Sequence, residues 1–291
     1  GTAITTGDRN TAVGSYALDA STTSSNHTAV GYNALSANTT GGDNTGVGVY
    51  TLDANTTGAY NTAVGAAALS ENTTGDKNTA LGVYALANAT TGDDNTAVGA
   101  YSLDAAVTGD KNTALGAYAL TANTTGANNI AIGYDALGDN TTGTQNTAVG
   151  TYALDAASTA SYNTAIGYAA LGANTTGLQN TSVGRESLLA NTTGNQNTAV
   201  GVRALKENTT GLDNTAIGSE TLRANTTGYQ NVGVGVSALQ GNTTGHSNTA
   251  VGYDAMGDGT TTGNWNTAIG MNALKVCTTG YSNVAVGQAS L

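Results

Sequence analysis

Proline and phenylalanine do not occur in the 291-residue chain, cysteine occurs once, and charged residues make up only 9%. The lone Cys277 excludes an internal disulfide framework and a thiolate metal cluster. No run of 18 apolar residues is present, so no transmembrane helix is predicted. The net charge of −11 and the scattered basic residues argue against nucleic acid as a partner, because a phosphate backbone requires a basic surface.

Glycine, by contrast, is abundant, and it recurs with a strict period. A 17-residue unit, N-T-A-V-G-x-x-A-L-x-x-N-T-T-G-x-x, occurs seventeen times, and we number its positions one to seventeen. Every step between copies is 17 residues except the one from Asn248 to Asn266, which is 18. The extra residue predicts a small bulge near residues 257–265. We interpret residues 1–291 as one continuous repeat array and expect it to be a segment of a longer fibre.

The repeat predicts an all-β fold, a parallel β-solenoid with one 17-residue coil per copy. Position five is Gly in every copy, which indicates positive φ or close backbone approach. Position four is always aliphatic, and position two exchanges Thr for Ile130 or Val232, a β-branched pattern that favours strands. The x-x-A-L-x-x stretch would tolerate one helical turn, but it is too short and too closely bounded by Gly for a stable helix.

The columns at positions one, four, five and nine are predicted to form structural ladders along the coils. Because strand side chains alternate, positions two and four share one face, which we assign to the interior together with position nine. The Asn amides of position one are expected to hydrogen-bond along their column, as in cross-β ladders. The predicted ladder residues are Asn61, Asn78, Asn95, Gly65, Gly82, Gly99, Val64, Leu69 and Leu86.

Position three is Ala, Gly or Ser in every copy, and its small size favours close packing of another chain. Two large apolar side chains per coil make a thin core, so association through a further face is expected to add stability. The predicted lateral packing residues are Gly46, Ala63, Ala131, Ala165 and Gly233. The alternative is that these residues line a tight solvent-facing strand or a cramped corner.

The N-T-T sequence at position twelve has two interpretations. It is an N-glycosylation acceptor pattern, and N-T-T-G is also a good turn sequence, which is the interpretation we prefer. The acceptor positions under the first interpretation are Asn38, Asn55, Asn72, Asn123, Asn140, Asn174, Asn191, Asn208, Asn225 and Asn242.

Enzymatic chemistry requires an asymmetric cluster of unlike groups, whereas a repeat produces ladders of like groups. His27 and His246 are 219 residues apart, so no Ser-His-Asp set is predicted. The G-G-x-G-x-D spacing of calcium-binding solenoids is absent, and the Asp residues recur irregularly. We therefore predict no enzyme activity, no catalytic residue, no cofactor and no metal site.

The motif resembles that of a known family. N-T-A-V-G, with its variants at Asn129–Gly133 and Asn283–Gly287, resembles the S-V-A-I-G head repeat of YadA-type trimeric autotransporter adhesins. The full unit is also similar to repeats in bacterial and phage tail-fibre-domain proteins. The resemblance covers the whole chain and implies a left-handed parallel β-roll with three chains around one axis. The family's head repeat is shorter than 17 residues, so this coil carries an enlarged corner.

The expected function is that of a self-associating structural fibre segment: the head or shaft of a surface adhesin, a tail fibre or an extracellular filament. The expected partner is the chain itself, as a homotrimer that extends end to end, with a surface receptor or glycan as a further partner. The expected location is extracellular, on a cell surface or a virion. Two alternatives are ice binding through Thr ladders, and glycan binding through Tyr32, Tyr134, Tyr168 and Tyr253.

Overall fold

The computed structural model describes residues 5–105, 107–259 and 261–290 and confirms a β-solenoid of tandem 17-residue coils. The chain divides into two compact units, Gly1–Gln145 and Asn146–Leu291. Each copy contributes one three-residue strand over positions two to four. The strands of the first unit are β1 (Thr11–Val13), β2 (Thr28–Val30), β3 (Thr45–Val47), β4 (Thr62–Val64), β5 (Thr79–Leu81), β6 (Thr96–Val98), β7 (Thr113–Leu115) and β8 (Ile130–Ile132). Those of the second are β9 (Thr147–Val149), β10 (Thr164–Ile166), β11 (Thr181–Val183), β12 (Thr198–Val200), β13 (Thr215–Ile217), β14 (Val232–Val234), β15 (Thr249–Val251), β16 (Thr267–Ile269) and β17 (Val284–Val286).

Within each unit, consecutive strands pair in parallel and in register. Thr62 lies beside Thr79, Ala63 beside Ala80 and Val64 beside Leu81, and the other pairs follow the same rule. Backbone hydrogen bonds between coils continue outside the strands, for example from Leu69 N to Ala85 O at 2.9 Å. No α-helix occurs among the described residues, and none of them forms an apolar helix of membrane-spanning length.

The coil turns because four of its residues adopt positive φ. In the fourth coil these are Gly65 at 134°, Ala67 and Leu69 at 52° and Lys77 at 57°. The Gly column is confirmed as a conformational requirement, since a Cβ built on Gly82 would also lie 2.6 Å from the Gly99 carbonyl oxygen. Left-handed Leu is unusual because its Cβ approaches the following carbonyl. Its complete burial at position nine holds it in that conformation.

The strand face that we assigned to the interior lies outside, and this prediction is wrong. From β2 to β17, position three is buried, whereas no residue at position two or four is buried. Val64 is half-exposed and Leu81 is 47% exposed, while Ala63 and Ala80 are inaccessible. The physical reason is the short distance between positions three and eight, which face each other inside the coil. Only small side chains fit between them, so the larger residues of the strand point outward.

The lateral packing prediction is therefore also wrong. Gly46, Ala63, Ala131, Ala165 and Gly233 are buried within their own coils, where another chain cannot contact them. Their small size is required by the side chain opposite. Three matched substitutions show this contact, since Gly46 accompanies Thr51, Gly233 accompanies Thr221, and the Ser182 hydroxyl bonds the Ser187 hydroxyl.

Six positions of the coil form its interior: one, three, eight, nine, twelve and fifteen. One large apolar side chain per coil fills the centre, and Leu69 and Leu86 at position nine are fully buried as predicted. Position eight is usually Ala, and positions one and twelve contribute two buried Asn side chains in most coils. Two of the six interior positions are thus polar in most coils, and the stability of the interior depends on the hydrogen bonds of those amides.

Around the single 18-residue step, the second unit departs from the regular corner, with Gly259 at φ 87°. Asn242 pairs with Thr261, and Asp258 pairs with Val276. Lys275 secures the distorted segment through ion pairs to Asp254 at 2.9 Å and Asp258 at 3.4 Å. A polar cavity of about 400 Å³ lies beside it, lined in part by Arg223, Gln240, Thr243 and Asp258.

Candidate association surface

Positions two and four of each strand form an outward surface that we call the strand face. In both units it consists of one row of Thr and one row of Val, Ile or Leu, each in register from coil to coil. Leu81, Leu115 and Ile217 are all more than 40% exposed. Rows of aliphatic side chains in contact with solvent are uncommon on monomeric proteins and typically mark an interaction surface.

The strand face carries no charge. None of the seventeen copies has an acidic or basic residue at position two or four. Position six, which flanks the face, contributes further apolar side chains such as Val49, Val83 and Val236, and its only charged member is Arg185. Charged residues are instead found at other positions of the coil, so the exposed aliphatic rows are not interrupted.

Exposed tyrosines stack beside the strand face at positions six and seven. Tyr101 and Tyr118 stack with ring centroids 5.4 Å apart, and Tyr84 continues the row on the other side of Tyr101 at the same distance. Tyr32, Tyr134, Tyr168 and Tyr253, the predicted glycan-binding residues, are all exposed. Tyr32 packs between Tyr16 and Tyr50. Tyr134 packs on Tyr118.

In three successive coils of the second unit, position seven carries an ionic side chain in place of tyrosine. Arg203 bridges the carboxylates of Glu186 and Glu220 in the preceding and following coils, with 3.2 Å in each ion pair. Arg223 and Lys206 extend this network at 3.1 and 3.4 Å. Exposed ion pairs of this kind contribute little to stability individually, so we assign them to coil-to-coil alignment.

The Asn ladder at position one is confirmed, with a donor that the sequence did not identify. Asn44 Oδ1 accepts the backbone N–H of Asn61 at 2.8 Å, and Asn61 Oδ1 accepts that of Asn78 in the same way. The Asn61 side-chain nitrogen donates to the Gly75 carbonyl at 2.8 Å. Each amide therefore joins two coils and also closes its own coil.

Position twelve forms a second amide ladder inside the coil. Asn72 Nδ2 donates to Asn55 Oδ1 at 2.8 Å and to the Gly75 carbonyl at 3.0 Å. Position fifteen is Gly because the Asn amide occupies the adjacent space; a Cβ built on Gly177 would overlap Asn174 Oδ1. Where position twelve is not Asn, position fifteen is sometimes larger, as in Ser21 with Ser24 and Ala157 with Ala160.

The glycosylation interpretation of N-T-T is wrong for the folded chain. The side-chain nitrogen that would carry a glycan lies inside the coil and is hydrogen-bonded there, typically to the Gly carbonyl three residues later. The ten residues concerned are all fully buried: Asn38, Asn55, Asn72, Asn123, Asn140, Asn174, Asn191, Asn208, Asn225 and Asn242.

The position-twelve Asn ladder is interrupted along the chain. Three of its stretches end on a buried amide oxygen without a hydrogen-bond partner, at Asn72, Asn140 and Asn242. For Asn72, the next copy has Ala89 at position twelve, which supplies no donor. For Asn242, the paired Thr261 directs its hydroxyl to the Cys277 carbonyl instead. The sequence contains this signal, because each ladder ends where the N-T-T pattern is interrupted.

His27 replaces Asn in the position-one column and is buried with two serines. Its ring nitrogens contact Ser24 Oγ at 2.9 Å and the backbone N–H of Asn44 at 3.3 Å. Because Asn44 N–H is a donor, Nδ1 accepts its hydrogen bond, and Nε2 lies beside both Ser24 Oγ and, at 3.2 Å, Asn38 Nδ2. Burial lowers the pKa of His27 from its ordinary value. The ring is enclosed, so this Ser–His contact has a structural role and no access to a substrate.

Among the described residues, no three His, Cys, Asp or Glu side chains are grouped so that they could hold a metal ion. Comparisons with known proteins do not identify a relative: no protein-family model matches the chain, and no curated protein matches it significantly. The strand face is therefore the feature from which function has to be inferred.

Proposed function

We propose that this chain is a structural fibre segment that self-associates through the strand face. The observation that carries the proposal is the uncharged row of exposed Val, Ile and Leu at position four, in register over the strands of each unit. Burying such a row removes apolar surface from water at about 25 cal/mol per Å². A coil that buries one large apolar side chain inside would bury a second one at such an interface.

A second copy of the same chain is the partner that this surface fits best. Its rows repeat with the coil spacing, so another strand face matches them along the length of each unit. Three copies around one axis would close the assembly and leave no face uncovered. The homotrimer, the left-handed sense of the coil and the extracellular location on a cell surface or virion are the parts of the proposal that rest on the resemblance to adhesin and tail-fibre repeats.

Light scattering coupled to size exclusion tests the proposal. We expect the wild-type chain to be a trimer at micromolar concentration, and a Val47→Gln, Val64→Gln, Leu81→Gln, Val98→Gln variant to be a folded monomer. The matched control places three Gln residues at exposed position fourteen, at Thr57, Thr74 and Thr91, and should remain trimeric. A wild-type monomer that stays monomeric at higher concentration would overturn the proposal.

Ice binding is a second candidate, and one specific observation favours it. An inward-facing Thr row at position two would argue against ice binding, but Thr45, Thr62, Thr79 and Thr96 lie in register on the outer face. Thermal hysteresis of the wild-type chain separates the two functions. A monomer with thermal hysteresis would support ice binding, whereas a trimer without it supports the fibre.

A further inference from the structure

We propose that three aromatic residues in the second unit, Tyr229, His246 and Trp265, form a binding surface for a neutral saccharide. We call this group the aromatic corner. It lies at positions sixteen and seventeen of successive coils, outside the strand face, so the proposal is independent of self-association. The chain's only Trp and one of its two His residues are both in this group.

The three rings are in direct contact and partly open to solvent. The His246 ring stacks on Tyr229 with centroids 4.5 Å apart and planes within 9°. Trp265 meets His246 at 5.0 Å and 90°, and its side chain is 58% exposed. Two backbone contacts fix the group, since Trp265 N donates to His246 O and His246 N donates to Asn264 Oδ1. The rings therefore form an angular platform on a hydrogen-bonded backbone.

The coils of the aromatic corner differ from earlier coils at positions sixteen and seventeen, where they carry aromatic rings and no Asp, Glu, Lys or Arg. Positions sixteen and seventeen in the first unit include the charged pairs Asp76–Lys77, Asp93–Asp94 and Asp110–Lys111. Over the last four copies with these positions they read Tyr-Gln, His-Ser, Asn-Trp and Tyr-Ser. Each coil thus provides one ring and one amide or hydroxyl, and no charge.

The fold itself does not require these rings. Position seventeen is a left-handed residue in every coil, and Gln145, Gln179, Gln196 and Gln230 adopt the same φ as Trp265, between 55° and 58°. Position sixteen is Leu178 and Leu212 in nearby coils of the same unit. An exposed indole at a site where Gln folds equally well indicates a role in binding.

The chemistry of the corner favours a saccharide. A sugar ring has a C–H face that packs on an aromatic face, and hydroxyls that bond to amides and to other hydroxyls. The amide or hydroxyl side chains of Gln230, Ser247, Asn264 and Ser282 adjoin the rings in sequence and supply both donors and acceptors. No Asp or Glu occurs at these positions to hold a cation, and no Lys or Arg to hold an anion.

Trp265 provides its own reporter, because its emission is the only indole signal of the chain. We would titrate the wild-type protein with D-glucose, D-galactose, N-acetylglucosamine and cellobiose up to tens of millimolar, following emission and heat of binding. We expect a saturable blue shift with at least one sugar. Trp265→Gln should weaken the calorimetric affinity at least about tenfold, and Tyr229→Leu should weaken it to a smaller extent.

Tyr60→Gln is the matched control, because it removes an exposed ring from the same column in the first unit, and it should bind as wild type does. The Trp265→Gln variant should retain its oligomeric state, and the strand-face Gln variant should retain its sugar affinity, so each proposal fails separately. The saccharide proposal is overturned if no sugar changes the emission, or if Trp265→Gln binds with unchanged affinity.

Discussion

At the scale of single residues, side-chain volume decides which face of the strand is inside. Position three lies opposite position eight: a Cβ built on Gly46 would lie 3.1 Å from Thr51 Oγ1 of the same coil, and one built on Gly233 would lie 2.6 Å from Thr221 Cγ2 of the preceding coil. Val or Ile at position three would collide with that opposite side chain, so the larger residues of the strand lie outside. The buried Asn amides fill the remaining space with hydrogen bonds.

The first prediction separates two adjacent residues of β4. Ala63→Gln places a long polar side chain in the filled interior and should destabilise by about 2–4 kcal/mol, through overpacking and an unsatisfied amide. Val64→Gln, on the outer face, should change monomer stability by less than about 1 kcal/mol. Urea unfolding of the two variants measures the difference. Equal losses would contradict the assignment of the two faces.

The second prediction concerns the steric conflict between an Asn at position twelve and a side chain at position fifteen. Ala157→Asn alone should destabilise, because the Ala160 methyl group occupies the space that the amide oxygen needs, as the Gly177 geometry shows. Adding Ala160→Gly should relieve the overlap and allow the new Oδ1 to accept from Asn174. A double-mutant cycle by thermal unfolding should give a favourable coupling of about 1–3 kcal/mol. Additive effects would show that the two positions do not compete for space.

The third prediction is a pH dependence that originates at His27. Burial lowers its pKa in the folded state, while the unfolded chain keeps the ordinary value near 6.5. The unfolded state therefore binds the proton more tightly than the folded state does. The free energy of unfolding should decrease as the pH falls from 7.5 towards 5. His27→Asn, which restores the column residue, should remove this component. Identical pH profiles for the two proteins would contradict the account.

Asp104 acts in the opposite direction and has to be separated from His27. Burial raises its pKa from 3.8 to about 6, so the folded state holds a proton that the unfolded state has lost between these values. Its contribution to stability therefore increases as the pH falls from 6 to 4. Burial also raises the pKa values of Asp53 and Asp135, so the histidine component is the difference between the wild-type and His27→Asn profiles, measured again in an Asp104→Asn background.

At the scale of the coil, the direction of the chain is set by residues with positive φ rather than by long strands. Three-residue strands contribute only a small part of each coil, and most of the remaining residues still bond to the neighbouring coils. The Gly at position five adopts φ between 122° and 143°, a region that is nearly closed to other residues, whereas positions seven and nine lie at the left-handed values that Ala and Leu can reach.

The fourth prediction compares two turn positions. Gly99→Ala introduces a Cβ at φ 135° and only 2.6 Å from the Gly116 carbonyl group, so it should destabilise by more than about 2 kcal/mol. Ala67→Gly, at φ 52°, relieves a left-handed Ala and should cost nothing or stabilise slightly. Calorimetric melting of both variants tests this contrast. A well-tolerated Gly99→Ala would show that the column is not required by conformation.

At the scale of the whole molecule, the sequence predicted the period, the strands, the Gly turn, the buried Leu column and the Asn ladder. It could not predict which strand face is interior from alternation alone, because alternation groups residues without choosing a side. Hydrophobicity suggested Val and Thr, but the space at position three is only wide enough for Gly, Ala or Ser. The paired exceptions Ser182 with Ser187 and Gly46 with Thr51 were the available signal, since they require contact between positions three and eight.

The same correction relocates the predicted association surface from position three to position four. The row that we interpreted as the contact between chains is the inner wall of each coil, and the row that we interpreted as core is exposed. A fibre built from this chain would thus place its aliphatic side chains between copies.

Oxidative crosslinking of single-cysteine variants tests this central claim most directly. In a Cys277→Ala background, Val64→Cys, Ala63→Cys and Thr57→Cys place one thiol on the strand face, in the interior and on a surface away from the face, respectively. The account predicts that Val64→Cys forms disulfide-linked chains at micromolar concentration, that Thr57→Cys does so far less, and that Ala63→Cys stays reduced until the chain is unfolded. Crosslinking through Ala63→Cys in the folded protein, with Val64→Cys unreactive, would contradict both the assignment of faces and the mode of assembly.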